Sequence, residues 1–304
     1  MSQPTRSVSI LVNNYNYAAF LKEAIDSALS QTYPVCEVIV VDDGSTDHSR
    51  EIVRAYGSRI IPVFQENGGQ AAAFNTGFGK SRGDIICFLD ADDIFLPHKA
   101  QQLVEIFERY DTIGWCFHAL DRVDNDLKKI SSAVKQQAVS EVYDLRSLLQ
   151  RGKLGQAIPF DSLATSGMCF TRALLERILP MPPEIRITSD DYIKYAALGT
   201  CPGYILLERL ALQRIHGNNA YTFREDKQLL RAEVLIQTAY FLRTNFSTLK
   251  EYSNNLFSLG LANFIRYRTD AQPLPLVEKY LSALSLGEWI KVQTRKNYYL
   301  YIKR

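Results

Sequence analysis

Three polar segments in the first third of the chain combine residue types that bind ligands. They are Asn13-Asn14-Tyr15-Asn16, Asp42-Asp43-Gly44-Ser45-Thr46-Asp47 and Asp90-Ala91-Asp92-Asp93. Each follows a short apolar run rich in β-branched residues, which is the pattern of a buried strand. Because ligands of open parallel sheets bind beyond the carboxyl ends of the strands, we expect the three segments to meet at one edge.

Asp90 and Asp92 have the spacing of a cation or nucleotide site. Residues i and i+2 of an extended chain point to the same side, so both carboxylates can face one ligand. Mg²⁺ or Mn²⁺ prefers one or two carboxylates and completes its coordination with water and substrate phosphates. Taken alone, the pattern favours a solvated acidic turn or a helix N-terminus. Its position at the end of a predicted strand instead favours a role in ligand binding.

Asp42 and Asp43 close the apolar run Val38–Val41. A turn with Thr46 as helix N-cap accounts for residues 44–47, but it does not account for two adjacent carboxylates at the strand mouth. An acid there can accept hydrogen bonds from a nucleobase N–H or a ribose hydroxyl. The side chain of Tyr15 could stack on that base.

Two segments of the second half carry groups for proton and charge transfer. Ser189 can cap a helix whose first turn holds Asp190 and Asp191, and capping alone explains these residues. The functional alternative is that Asp191 removes the proton of an attacking hydroxyl. Further along, Arg214 and His216 alternate as strand neighbours do, and although a histidine is more often a surface or core group, this pair could neutralise a departing diphosphate.

The elements that would position these residues follow a βαβ order. Apolar runs predict strands over Val8–Val12, Glu37–Val41, Ile60–Phe64 and Ile85–Leu89. Helical periodicity predicts helices over Ala18–Gln31, Asp47–Tyr56, Gln70–Lys80 and Lys99–Tyr110, then over Thr171–Ile178 and from Ser189. We therefore predict an α/β fold with a mostly parallel, Rossmann-like sheet flanked by helices. From Glu225 onward, leucines and aromatic residues at helical spacing predict a C-terminal extension of two or three helices.

Composition indicates a folded enzyme of 304 residues with a substantial core and a net charge of only +2, so we expect no nucleic acid partner. The five cysteines are scattered without C-x-x-C pairs and are predicted to be reduced core thiols of a cytosolic protein. They are Cys36, Cys87, Cys116, Cys169 and Cys201. No signal peptide pattern and no apolar run of roughly 20 residues is present, so we expect neither a membrane span nor export by that route.

The sequence lacks complete, correctly placed versions of two other common nucleotide-binding motifs. The segment Gly77-Phe78-Gly79-Lys80-Ser81 resembles part of a P-loop, but Phe74 stands where the first glycine is required, and the segment precedes a strand. The G-x-G-x-x-G fingerprint is absent after the first strand. ATPases and dehydrogenases are therefore disfavoured.

Taken in order, five segments resemble glycosyltransferase family 2, the inverting enzymes with the GT-A fold. They are Val8–Asn16, Ser30–Tyr33, Val41–Asp47, Glu66–Gly69 and Gly83–Asp93. The resemblance is dense over residues 6–110 and sparse over 160–220. It implies transfer of a sugar from a nucleotide diphosphate sugar to a glycan or lipid-linked acceptor, with Mg²⁺ or Mn²⁺, in cell-surface polysaccharide or glycan synthesis.

The resemblance also implies roles for single residues. Asp43 would bind the nucleobase, Asp90 the ribose side and Asp92 the metal, and His216 would lie near the diphosphate. The full set implied to bind the nucleotide sugar is Asn13, Tyr15, Asp43, Asn67, Asp90, Asp92 and His216. Asp191 falls at the position of the catalytic base, although Asp190 stands where a glutamate is commoner. Phe74 departs from the family as well, because the position before Asn75 is often basic.

The predicted domains are a catalytic domain over 1–222, with a nucleotide-sugar half (1–110) and an acceptor half (111–222), and a helical region over 223–304. Trp289–Arg304 mixes basic and aromatic residues. This segment is either an ordinary packed element or a surface that associates peripherally with the inner face of a membrane. A sugar nucleotidyltransferase and a non-catalytic nucleotide-sugar-binding module remain as alternative functions.

Overall fold

The computed structural model describes residues 6–132, 139–154, 163–217, 219, 226–268 and 275–302. The chain divides into two compact units. Unit 1 comprises Met1–Asp144, Ile158–Arg186 and Thr200–His216, and unit 2 comprises Leu145–Ala157, Ile187–Gly199 and Gly217–Arg304. The predicted domain boundary at 222/223, together with Asn218, Lys303 and Arg304, lies outside the described residues.

The strands of the described chain all belong to unit 1. They are β1 (Val8–Asn14), β2 (Glu37–Asp43), β3 (Ile61–Gln65), β4 (Ile85–Asp90), β5 (Ile94–Phe95), β6 (Trp115–Val123), β7 (Lys129–Ser132), β8 (Glu141–Tyr143), β9 (Met168–Thr171) and β10 (Gly203–Arg214). They form one sheet of order β3-β2-β1-β4-β9-β6-β10-β5, with β7 paired to β6 and β8 to β10. The four predicted strands are present, each within two residues of its predicted bounds.

The first half of the sheet is parallel, and β1 lies between β2 and β4. Val12 pairs with Val40 on one side and with Leu89 on the other, and all three side chains are buried. The same register sets Asn14 beside Asp42 and Asn13 beside Asp90. The three polar segments therefore meet at one edge of the sheet, as predicted.

The second half of the sheet is mixed. Strand β9 runs antiparallel to both β4 and β6, whereas β6 and β10 are parallel to each other. The prediction of a mostly parallel sheet therefore holds for β3-β2-β1-β4 and for the β6-β10 pair, whereas the other pairings are antiparallel. The α/β fold with flanking helices and a helical C-terminal region is confirmed.

The helices of the described chain are distributed over both units. They are α1 (Ala18–Leu29), α2 (Ser49–Ala55), α3 (Gln70–Lys80), α4 (Lys99–Arg109), α5 (Arg146–Gln150), α6 (Arg172–Ile178), α7 (Asp190–Thr200), α8 (Lys227–Asn245), α9 (Lys250–Tyr267), α10 (Pro275–Ser282) and α11 (Leu286–Tyr301). Helix α2 begins at Ser49 rather than at Asp47, because Asp47 Oδ1 accepts from the Ser49 amide at 3.0 Å and thereby precedes the first turn. The N-cap residue of α2 is His48, so the prediction of Thr46 as N-cap is wrong.

The cysteine prediction is correct for three residues and wrong for two. Cys87, Cys116 and Cys169 are buried on neighbouring strands β4, β6 and β9, with Cys169 in register with both others. Cys36 is exposed and Cys201 is half-buried, because each lies in a turn that precedes a strand rather than inside one. All five are free thiols.

Unit 2 contains four helices in its described C-terminal part, α8–α11, where two or three were predicted. The rings of Phe257 on α9 and Tyr280 on α10 stack with centroids 3.8 Å apart. Ser285 caps α11 in a capping box with Glu288, whose carboxylate also pairs with Arg243 at 2.9 Å. None of the helices in the described residues combines the length and apolarity that a bilayer span requires.

Candidate functional site

The loop after β1 is tied to the loop after β2 by short polar contacts. Asn16 adopts a φ of 60°, a left-handed conformation that asparagine tolerates better than most residues. Its Oδ1 accepts from the Thr46 amide at 2.7 Å, and its own amide donates to Ser45 Oγ at 2.9 Å. Tyr15 projects from this joined surface with 45% of its area exposed.

The two acids that end β2 have different environments. The Asp42 carboxylate is buried and accepts from Asn14 Nδ2, Arg50 Nε (both 2.9 Å) and the Ser45 amide (3.1 Å). These bonds hold the two loops together, so Asp42 is a structural residue. Asp43 points to another segment, the loop between β3 and α3.

Asp43 anchors this loop through three donors. Its Oδ1 accepts from Gln65 Nε2 at 2.6 Å and from the Gly68 amide at 2.8 Å, and its Oδ2 accepts from the Gly69 amide at 2.8 Å. Gly69 has a φ of +87°, and a Cβ there would lie 2.7 Å from Arg186 Cα, so only glycine fits.

Arg186 braces the same loop and was not identified from the sequence. Its guanidinium donates to the backbone oxygen of Asn67 at 3.1 Å and also to the Asn67 side-chain oxygen. Its own carbonyl accepts from the Gln70 amide at 2.9 Å. Asn67, an implied nucleotide-sugar residue, is exposed and held by this arginine.

The acidic segment after β4 is folded back onto its neighbours by backbone hydrogen bonds. The Asp90 amide donates to Ser166 Oγ at 3.1 Å, and the Ala91 amide donates to the Asn13 carbonyl at 3.1 Å. Asp93 turns inward, where its Oδ1 accepts from the Arg214 amide at 3.0 Å. Burial and the charges of Asp92 and Asp90 hold the pKa of Asp93 well above its usual range.

Asp92 and His216 are brought together. The Asp92 Oδ2 and His216 Nε2 atoms are 3.1 Å apart, and the imidazole packs on the Phe20 ring with centroids 4.4 Å apart. Both residues are buried, which fixes the orientation of the carboxylate.

Arg214 has a structural role that the sequence analysis did not predict. Its guanidinium is buried and donates to Glu23 Oε2 (2.6 Å), the Asn125 carbonyl (2.9 Å) and the Asp92 carbonyl (3.2 Å). The interpretation of Arg214 as a diphosphate contact is therefore not supported, because its donors point to protein oxygens.

A buried lysine lies beneath the acidic segment. Lys99 is fully inaccessible, donates from Nζ to the Ser166 carbonyl at 2.8 Å and sits 3.3 Å from the centroid of the Phe95 ring. Burial lowers its pKa. Because Ser166 also receives the Asp90 amide, Lys99 and Ser166 support the base of the segment, and neither was singled out in the sequence.

Asp190 and Asp191 open helix α7 in unit 2. Asp191 forms an ion pair with Lys194, and 26% of its side chain is exposed. Asp190 Oδ1 is buried without a hydrogen-bond partner among the described residues. Burial and the Asp191 charge raise the pKa of Asp190 to about 6, against the lowering effect of Lys194.

Replacing Asp190 with Asn is expected to flatten the dependence of stability on pH. A carboxyl whose folded-state pKa of about 6 exceeds its unfolded value of 3.8 contributes stability that is present below pH 3.8 and lost as pH rises through 6. The free energy of unfolding of Asp190→Asn at pH 7.5 should therefore exceed that of wild type by about 1–2 kcal/mol, allowing for partial solvent access. Urea unfolding between pH 4 and 7.5 measures this, and parallel curves for the two proteins would contradict it. The exposed Asp126→Asn is the matched control.

The donor set at the sheet edge suits a hard divalent cation that also binds substrate phosphates. Within the described ranges, no three His, Cys, Asp or Glu side chains are grouped to hold a metal by themselves. Mg²⁺ and Mn²⁺ use one or two carboxylates and take phosphates and water for the rest, and the Asp92 carboxylate beside His216 is a side chain of that type.

The acidic loops lie at the carboxyl ends of the parallel strands, where open α/β sheets bind their ligands. The chain belongs to glycosyl transferase family 2, whose family model matches residues 9–175. An uncharacterized glycosyltransferase of Nostoc sp. is 41% identical over 219 residues, covering 70% of this chain and 66% of the relative. One from Rickettsia typhi is 42% identical over 125 residues, covering 40% and 39%. The chain thus spans less than two thirds of these curated relatives.

Solved structures share the fold. Staphylococcus aureus TarS 1-349 in complex with UDP aligns with a TM-score of 0.59 at 17% identity, covering 95% of this chain and 80% of that one. The mannosyltransferase PcManGT from Pyrobaculum calidifontis, in complex with GDP-Man and Mn²⁺, aligns with a TM-score of 0.53 at 20% identity, covering 99% and 83%. At these identities the likeness establishes the fold alone.

Proposed function

We propose that this chain is an inverting glycosyltransferase that moves a sugar from a nucleotide diphosphate sugar to a hydroxyl of a glycan or lipid-linked acceptor in cell-surface glycan synthesis. The observation that supports this most is the meeting of the β1, β2 and β4 carboxyl ends, which brings Asn13, Asp43 and Asp90 to one sheet edge. Ligands of such sheets bind at this place.

The donor contacts follow from the side chains at that edge. Asp43 accepts from the nucleobase, and exposed Tyr15 stacks on it. Asn13 and Asn67 line the nucleotide pocket, and Asp90 accepts from a ribose hydroxyl. The tied loops supply the rigidity that such positioning requires, because Asn16 and Asp42 join the β1 and β2 loops.

Asp92 would hold the Mg²⁺ or Mn²⁺ ion, which when bound supplies positive charge to the donor diphosphate. His216 fixes the Asp92 carboxylate through its Nε2 atom. A PcManGT structure with GDP-Man and Mn²⁺ supports divalent metal use in proteins of this fold.

Asp191 acts as the general base in this proposal. Its partly exposed carboxylate accepts the proton of the acceptor hydroxyl while that oxygen attacks the anomeric carbon from the side opposite the leaving group. Attack from that side inverts the configuration. Burial would lower the pKa of Lys194, but the charges of Asp191 and Asp190 raise it, so the ammonium stays charged beside the base.

Membership in family 2 weighs against the nucleotidyltransferase alternative, as does the Asn13-Asn14-Tyr15-Asn16 segment in place of a Gly-rich basic loop.

Release of nucleoside diphosphate from UDP-, GDP- and dTDP-sugars with Mn²⁺ tests the function, and NMR of the released or transferred sugar reports its anomeric configuration. If no donor reacted, the alternative of a non-catalytic nucleotide-sugar-binding module would be favoured. A product of retained configuration would exclude inversion.

Helix α11 has the features of a segment that lies on an anionic membrane surface. Leu286, its first residue, and Ile302, its C-cap, are 77% and 73% exposed, and Ile290 and Tyr301 are exposed between them. Residues 286–304 contain five basic residues and one acid, while the whole chain carries only +2. Interfacial helices combine apolar, aromatic and basic residues in this way.

Replacing both Leu286 and Ile290 with Ser is expected to reduce binding to vesicles containing anionic phosphatidylglycerol by at least about tenfold, because two exposed aliphatic side chains that would enter the bilayer interface are lost. Co-sedimentation measures the bound fraction. The control is Ile130→Ser, which removes from unit 1 an aliphatic side chain about as exposed as Ile290. If wild type and double variant pellet alike, α11 does not contact the membrane; a change in oligomeric state instead would assign the surface to a second copy.

A further inference from the structure

Lys194 lies beside Asp191 on helix α7, where little of its side chain reaches solvent. Its Nζ atom donates a hydrogen bond to Asp191 Oδ1, and only 12% of its side chain is exposed, against 26% for Asp191. Lysine is almost never buried without a partner, because the charge loses its hydration. Burial lowers the pKa of Lys194, but the charges of Asp191 and Asp190 raise it above its usual range, so the ammonium is retained.

The ammonium has two acidic residues within reach on its own helix. Asp190 stands four residues before Lys194 and Asp191 three, so both lie on the same side of α7. Oδ1 of Asp190 is buried and has no hydrogen-bond partner among the described residues. A lysine that served only to compensate a buried charge would bond to Asp190. Because it bonds to the partly exposed Asp191, it acts on the carboxylate that a substrate can reach.

Aromatic side chains limit the positions that this ammonium can take. The Nζ atom lies 4.6 Å from the centroid of the Tyr195 ring, a distance at which a cation is attracted to the ring face. The Tyr195 ring packs against the buried Tyr252 of α9, with centroids 4.9 Å apart. Helices α7 and α9 therefore fix the donor that bonds to Asp191 Oδ1.

We infer that Lys194 is a positioning residue for the general base: it holds Asp191 Oδ1 and thereby presents Oδ2 to the acceptor hydroxyl. This inference rests on the proposed function, in which Asp191 removes the proton of that hydroxyl. Among the described residues, no donor bonds to Oδ2. The proton passes to Oδ2 and the freed electron pair forms the bond to the anomeric carbon. The pair of the broken sugar–phosphate bond leaves with the nucleoside diphosphate.

Lys194→Met tests the inference, because methionine fills much of the same space without a donor or a charge. We expect kcat for sugar transfer to fall by about 10- to 100-fold, while KM for donor and acceptor stays within about twofold, since only the orientation of the base is lost. Lys194→Arg, which keeps the charge and the donor, should recover most of the rate. The control Lys250→Met removes an exposed ammonium from the same unit and should keep the wild-type rate.

A double-mutant cycle distinguishes positioning of the base from a merely structural role. If Lys194 acts through Asp191, Lys194→Met should change the single-turnover rate by less than about twofold in the Asp191→Asn background. An equal loss in both backgrounds would assign Lys194 to the stability of the helix and overturn the inference. A wild-type rate in Lys194→Met would overturn it as well, and neither result would affect the assignment of Asp191.

A second variant covers the case in which Lys194→Met does not fold, which urea unfolding would reveal. Lys194→Gln is also neutral and is too short to hold Oδ1 in the same place, so it should give the same pattern with a loss of at least about fivefold. A fully active Asp191→Asn would overturn the base assignment and the inference together. A wild-type protein that transfers sugar from no donor would instead overturn the proposed function.

Discussion

Asp191→Asn is expected to lower the rate of sugar transfer by about 10²- to 10⁴-fold, while the affinity for the nucleoside diphosphate stays within about twofold of wild type. The reason is that the amide cannot accept the proton of the acceptor hydroxyl, yet it keeps the shape of the side chain and a hydrogen bond to Lys194. Single-turnover transfer rates and calorimetric titration with the nucleotide measure the two quantities separately.

Asp190→Asn is the matched control, because it removes a carboxylate from the preceding residue. Asp190 Oδ1 is buried, whereas 26% of the Asp191 side chain is exposed, so an acceptor hydroxyl can reach Asp191 more readily. Asp190→Asn should therefore retain most of the transfer rate. The reverse pattern, with Asp191→Asn active and Asp190→Asn inactive, would move the base to Asp190. If both variants kept the wild-type transfer rate, the general base would lie outside helix α7.

The parallel half of the fold was predictable because each strand is buried on both faces. Runs such as Val38–Val41 contain few polar residues, and their length and β-branched content distinguish them from helices. The loops at the carboxyl ends then follow from topology, since parallel strands end at the same edge. For this reason Asn13, Asp43 and Asp90 were found by sequence reasoning and lie together in the sheet.

The supporting residues were not predictable, because they act across large separations in sequence. Arg186 contacts Asn67 from 119 residues away, and Lys99 contacts Ser166 from 67 residues away. In the sequence, Lys99 is an ordinary first residue of an amphipathic helix. Only the pairing of β4 with β9 reveals that Ser166 lies under the acidic segment, where it receives the Asp90 amide.

Adjacent acids were also indistinguishable in the sequence. Asp42 and Asp43 end one strand, but alternation along a strand sends their side chains to opposite faces. One meets Arg50 and the β1 loop, and the other meets Gly68 and Gly69. Arg214 and His216, by contrast, share a side by the same rule, yet Arg214 is held by Glu23 while His216 contacts Asp92. Hydrogen-bond partners, which sequence does not disclose, separate these roles.

Asp92→Asn is expected to weaken Mn²⁺ binding to the protein–nucleotide complex by at least about tenfold and to lower transfer by about 10²-fold or more. The variant keeps the volume of the side chain and a possible bond to His216, but it loses the charge that a hard cation requires. Titration of Mn²⁺ monitored by electron paramagnetic resonance, with saturating nucleotide, measures the affinity without any turnover. Nucleotide binding in excess EDTA should change little.

Two neighbouring variants separate direct ligation from a general loss of negative charge. Asp93→Asn makes the same substitution one residue away. Asp93 points inward to the Arg214 amide, and burial raises its pKa, which favours the neutral carboxyl, so Mn²⁺ affinity should fall less than in Asp92→Asn. His216→Gln should have an intermediate effect, because it frees the Asp92 carboxylate to rotate while leaving its charge. Equal losses in Asp92→Asn and Asp93→Asn would mean that the cation responds to the field of the acidic segment as a whole. Wild-type affinity in Asp92→Asn would instead transfer the ligand role to Asp90, the other acid of this segment that is not turned inward.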